Sequence, residues 1–79
     1  MAMRRVAVDS SSIAWIGYDA RRRELEIKFR DSGDVYRYFE VSSGEHAAFM
    51  ASSSKGKYLN YIFKPRGHRY FVVKTGGQR

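Results

Sequence analysis

The chain has no cysteine and a single proline, Pro65, in its 79 residues. Without thiols there is no disulfide framework and no thiolate zinc site, and the composition fits a reducing, cytoplasmic compartment. No apolar run approaches the roughly 20 residues that cross a bilayer. The start, Met1 to Asp9, has basic residues but no apolar core segment, so neither a signal peptide nor a membrane anchor is expected. The motifs of hydrolase and nucleotide-binding chemistry are also missing. There is no G-x-S-x-G elbow, no phosphate-binding glycine loop and no metal-ligand cluster. The two histidines, His46 and His68, stand at no characteristic spacing to a nucleophile. We therefore expect no catalysis, no metal and no cofactor.

Acidic residues are scarce as well: 8 against 15 Lys and Arg, for a net charge of +7. The acids all precede His46 and largely offset their basic neighbours. Beyond Phe63 the chain carries Lys64, Arg66, Arg69, Lys74 and Arg79 with no acid at all. Such a surface suits nucleic acid, anionic lipid or an acidic protein, or it simply keeps a small protein soluble. Hydrophobic content of 43% and aromatic content of 15% argue for one small folded domain rather than a polybasic tail.

The pattern along the chain predicts an α+β domain. Ile13 to Tyr18 is a short apolar run, Glu24 to Arg30 alternates strictly, and Val35 to Val41 is β-branched and aromatic. These read as three antiparallel strands of a meander, joined by Asp19–Arg23 and by the turn Asp31–Asp34. Ser42 and Glu45 form a capping box for a helix over about 43–51, with Ala47, Met50 and Ala51 for packing. Ser54 caps a second short helix that packs through Tyr58, Leu59 and Ile62 and ends at Pro65 and Gly67. Tyr70-Phe71-Val72-Val73 is an edge strand or a docked tail, and residues 75–79 are expected to fray.

Register follows from burial. Pairing Tyr18 with Leu25, Ile16 with Ile27 and Ala14 with Phe29 makes one face apolar. Pairing Phe29 with Tyr36 and Ile27 with Tyr38 keeps Arg37 off that face, where an unpaired guanidinium would cost several kcal/mol. Trp15, Lys28 and Arg37 then share the opposite face in one row, with Val35 and Phe39 beside them and Glu26 interrupting. An aromatic flanked by cations on an open sheet can stack a base and hold its phosphates. The same residues can instead be a cation–π cluster that shields the tryptophan, or lie beneath the Tyr70–Val73 tail.

The second suggestive stretch is Ser52 to Asn60. A helix N-terminus here offers free N–H groups to an anion, with Ser53, Ser54, Lys55 and Lys57 around it and Gly56 allowing close approach. The structural alternative has Ser54 as a cap, Gly56 packed on the sheet and Asn60 satisfying buried backbone.

Ser11-Ser12-Ile13, Ile16-Gly17-Tyr18-Asp19, Leu25-Glu26-Ile27-Lys28-Phe29, Gly33, Tyr36-Arg37-Tyr38, Val41 and Ser54-Lys55-Gly56-Lys57-Tyr58-Leu59-Asn60 with Ile62 together resemble the KTSC domain. That module is named for its place at the C-terminus of some lysyl-tRNA synthetases and also occurs as a small stand-alone bacterial protein. The resemblance implies a domain over 9–63 and a basic, partly docked extension over 64–79 beyond it. Ser42 stands where the family usually has proline. The synthetase context implies RNA. The expected function is therefore non-catalytic binding of nucleic acid, RNA before DNA, through Trp15, Lys28, Arg37, Ser54, Lys55, Gly56, Lys57, Lys64, Arg66 and Arg69. The alternative is a protein–protein adaptor, or a small phage or mobile-element inhibitor that docks on a nucleoprotein complex.

Overall fold

The computed structural model describes residues 3–76. Met1, Ala2, Gly77, Gln78 and Arg79, which entered the reading of the two ends, lie outside the described residues. Five strands form one antiparallel sheet in sequence order: β1 (Arg4–Ala7), β2 (Ile13–Asp19), β3 (Glu24–Phe29), β4 (Val35–Tyr38) and β5 (Tyr70–Lys74). Between β4 and β5 the chain makes α1 (Ser43–Ala51) and α2 (Lys55–Tyr58). A π-helical turn (Leu59–Phe63) and a 3-10 turn (Lys64–Arg66) continue α2. The fold is α+β as expected, but the meander has five strands rather than three.

Strict alternation sets the central strands. Ile16, Leu25, Ile27 and Tyr38 are buried on one face, against Phe49 of α1 and Tyr58, Leu59 and Phe63 of the second helical segment. Tyr18 and Tyr36 line the same face, and the Tyr18 hydroxyl donates to the Val41 carbonyl at 2.5 Å. Every helical residue of this core meets that face, so among the described residues the other face of the sheet carries no helix.

Register departs from expectation at two points. Tyr18 opposes Leu25 and Ile16 opposes Ile27 as expected, but a bulge puts Ile13, not Ala14, opposite Phe29. Between β3 and β4 the pairs are Ile27 with Tyr36 and Leu25 with Tyr38, two residues from the expected register. The cause is a tighter turn. Gly33 takes φ +74°, its N–H donates to the Phe29 carbonyl, and the Phe29 N–H donates to Asp34. A shift of two preserves which face each side chain takes, so Arg37 stays off the core face.

The helical segment is corrected in its packing residues. Ser42 Oγ accepts from the Glu45 N–H at 3.1 Å, so the cap is as expected, but α1 buries Phe49 while Ala47 and Ala51 are exposed. In the second segment the Lys64 N–H reaches back to the Leu59 carbonyl, five residues earlier. This wide turn carries Phe63, rather than Ile62, into the core against Phe49 and Tyr38, and Ile62 is left 42% exposed. Asn60 is also exposed and does not serve buried backbone.

The C-terminal segment does not cover the open face. It extends the sheet as an edge strand beside β4, with Tyr36 opposite Val72 and Arg37 opposite Phe71. Its side chains stay exposed, and among its apolar residues Tyr70 is the most so at 56%. Thr75 and Gly76 are not frayed off: the Gly76 N–H donates to Asp34 Oδ1 at 2.9 Å. A Cβ on Gly76 would collide with the Gly33 backbone, so only glycine brings the chain this close.

Candidate nucleic-acid interface

Alternation along the strands puts Arg5, Ala7, Trp15, Gly17, Glu26, Lys28, Val35, Arg37 and Phe71 on the helix-free face. Trp15 pairs with Lys28 and Lys28 with Val35, so these form one row. Arg37 is opposite Glu26 and stands one row away, not in line with Trp15 as the sequence suggested. The register shift of two is the reason.

Aromatic rings and cations alternate across this face. The Arg69 guanidinium lies 5.4 Å from the Phe39 ring centre, and Phe39 lies 5.6 Å from Phe71. Arg37 sits 5.7 Å from Phe71, and Arg5 sits 5.0 Å from Trp15. Glu26 joins the two halves. Its carboxylate is 1% exposed and accepts from Arg37 Nη2 at 2.6 Å and Nε at 2.9 Å, and from Arg5 Nη2 at 3.3 Å. A buried carboxylate is tolerated only when paired, and the two guanidiniums supply that. Sequence reasoning read Glu26 as an interruption and did not place Arg5 here, because β1 was not foreseen; it read Phe71 only within a tail that either covers this face or forms an edge strand, not as a neighbour of Arg37. Lys28 and Lys74 flank a shallow concavity with Trp15, Val35 and Val73.

The ten residues expected to bind nucleic acid therefore separate. Trp15, Lys28 and Arg37 lie on the open face, and Arg69 reaches it through Phe39. Ser54, Lys55, Gly56, Lys57, Lys64 and Arg66 belong to the helical side. Several of these are engaged within the fold. Ser54 Oγ accepts from the Lys57 N–H at 3.3 Å, and Lys55 Nζ donates to the Ser52 carbonyl at 2.7 Å. A Cβ on Gly56 would come within 2.9 Å of Ser12 Oγ, so the glycine lets the helix seat against the start of β2. Arg66 pairs with Glu45 at 3.0 Å.

Glu45 does not complete the capping box. Its carboxylate accepts instead from His68 Nε2 at 3.0 Å, while His68 Nδ1 meets the Phe39 carbonyl at 3.0 Å. His68 is thus a clamp between α1 and the end of β4, stacked on Phe63 at 4.9 Å. His46 stacks on Tyr18 at 4.3 Å, and burial lowers its basicity below the usual imidazole range. Tyr38 is pushed up to about 12, chiefly by burial and then by Tyr36 and Tyr70. Among the described residues no helix is long and apolar enough to cross a membrane.

A five-stranded meander with helices on one side and an aromatic, cationic face on the other defines a small single-domain α+β protein. The chain belongs to the KTSC domain family, whose model matches residues 9–70. The match runs through the 3-10 turn to the first residue of β5, so Lys64, Arg66 and Arg69 lie within it. The chain is 41% identical over 71 residues to an uncharacterized protein of Stutzerimonas stutzeri (strain A1501), covering 90% of this chain and 99% of that one. It is 37% identical over 59 residues to a protein of Tsukamurella paurometabola, covering 75% and 87%. The crystal structure of a KTSC domain protein of Yersinia pestis superposes with a TM-score of 0.85 at 38% identity, covering 92% of this chain and all of that one.

Proposed function

We propose that this protein is a non-catalytic module that binds single-stranded nucleic acid, RNA before DNA, on the helix-free face of its sheet in the cytoplasm. One observation carries the reading. Trp15, Phe39 and Phe71 share this face with Arg5, Lys28, Arg37, Arg69 and Lys74, with Glu26 buried at its centre and the carboxylates Glu24 and Asp19 along one margin. Flat rings stack bases of any sequence, and cations beside them track the backbone. Arg5 and Arg37 are ordered by Glu26, so they present planar surfaces beside the rings rather than free charges. Lys28, Lys74 and Arg69 supply the phosphate contacts.

The test is salt-dependent binding of a short labelled RNA by fluorescence anisotropy. Three phosphate contacts give a slope of roughly −2 for log affinity against log salt. Replacing Trp15 by Ala weakens binding by about 1–3 kcal/mol with little change of slope, because stacking releases no counterions. A folded W15A protein with unchanged affinity refutes the site. Absence of any binding at low salt refutes the function and favours the adaptor. That second reading rests on β5, whose Tyr70, Phe71, Val72 and Val73 are all more than 40% exposed on an open sheet edge.

A further inference from the structure

On the helical side, a cleft of about 500 Å³ opens between β4, β5 and the 3-10 turn. This lies within the range of small-molecule sites. Five aromatic side chains line it: Phe29, Tyr36, Tyr38, Phe63 and Tyr70. Tyr36 and Tyr70 lie nearly parallel, with centres 5.4 Å apart, and Phe29 meets Tyr36 edge-on at 5.3 Å. Tyr38 is only 5% exposed yet contributes to this surface, and Tyr70 is exposed beside it. The polar lining is Ser32, Lys64 and His68.

The charge of this lining selects the ligand. Aromatic walls by themselves suit an organic cation. Here the carboxylate behind His68 is already held by His68 and Arg66, and the charge at the rim is the exposed ammonium of Lys64. The cleft therefore disfavours a cation. It favours a flat ring with polar edges that carries an anionic group within reach of Lys64. We infer that this cleft binds a nucleoside monophosphate, with the base against Tyr36 and Tyr70 and the phosphate on Lys64. The site lies on the opposite side of the sheet from Trp15 and Lys28, so it stands or falls separately from strand binding on the open face.

The experiment is titration of the isotope-labelled full chain with AMP and with UMP, followed by amide and aromatic resonances. Saturable shifts are expected at Tyr36, Lys64, His68 and Tyr70, reaching saturation below the nucleotide concentration that moves Trp15 or Lys28. Lys64→Ala weakens AMP about tenfold, the loss of one charge-assisted contact. Adenosine loses the same factor on the unmodified chain and binds the variant unchanged. Tyr70→Ala, at an exposed position that leaves the core intact, weakens both nucleotides. Inorganic phosphate alone and indole-3-acetate are the controls. Equal shifts from phosphate alone reduce the site to a surface cation, and equal affinity for indole-3-acetate removes the nucleotide assignment. Shifts confined to Trp15 and Lys28, or none at all, overturn the proposal.

Discussion

Replacing Glu26 by Gln separates the two roles of the carboxylate at the centre of the open face. The side chain is 1% exposed and nearly isosteric with its replacement, so packing is preserved. What changes is charge. Arg37 is 31% exposed and makes two hydrogen bonds to one oxygen. Charge-assisted bonds exceed neutral ones by about 1 kcal/mol each, and a remaining amide oxygen keeps the neutral part. The Arg5 contact is longer and its side chain is 51% exposed, which limits it to about 0.5 kcal/mol. The amide NH2 then faces a guanidinium donor. The sum is a loss of about 2.5 kcal/mol, or roughly 15 °C in Tm for a domain of this size. Calorimetry or urea denaturation reads it. A double-mutant cycle with Arg37→Gln should return a larger coupling than one with Arg5→Gln. Binding should move the other way: two guanidiniums are released and the face gains a positive charge. RNA affinity at low salt rises, and the salt slope steepens by about 0.7 for each new phosphate contact. If the variant melts within about 2 °C of the parent, Glu26 does not join the two halves of the face.

Stability should fall with acid through His46. Its folded basicity lies below the ordinary value of 6.5, so the unfolded chain takes up the proton first. The contribution is complete above 6.5 and is lost as pH drops below that value toward the lower folded one; His46→Phe keeps the stack on Tyr18 and flattens this part of a urea-midpoint profile. Phe63→Ala should cost about 3–5 kcal/mol by denaturation, whereas Ile62→Ala stays within about 1 kcal/mol, because the π-helical turn points only Phe63 inward. Gly76→Val drives a side chain into the Gly33 backbone and releases the bond to Asp34. Hydrogen exchange at Val72 to Lys74 should then lose protection, with a global cost of about 1–3 kcal/mol.

Much of the central sheet was legible because alternation has a period of two. Leu25, Ile27 and Phe29 declared one face of β3, and any even slip of β4 leaves Arg37 on the other. The same property explains the error: face assignment cannot distinguish a register from its neighbour two residues away. The turn decides that, through the backbone of Gly33. The capping serines were readable from local chemistry, since each cap is satisfied within four residues. Glu45 was misread for the opposite reason: its partners, Arg66 and His68, are distant in sequence. The strand Arg4–Ala7 has no buried residue and so no hydrophobic pattern to find. Without it, Arg5 and its place over Trp15 were invisible, and half the candidate interface with them. The wide turn at Leu59–Phe63 left no mark in the sequence that separates Ile62 from Phe63.

The two outer strands are unequal, and that inequality limits how copies of this protein can associate. β1 begins with Arg4 and Arg5, while β5 is apolar from Tyr70 to Val73 with Lys74 only at its end. Head-to-tail joining would lay the β1 of one molecule along the β5 of the next and could repeat without end. In either strand direction it would also bring Arg4 and Arg5 to one end of β5, against Arg69 or against Lys74, cation against cation at every junction. Joining β5 to β5 is self-complementary and closes after two molecules. Charged residues on an edge strand are a known guard against sheet polymerisation. Arg4 fills that role here, so a variant with Arg4 and Arg5 replaced by Thr and Val is the form of this chain expected to build fibres.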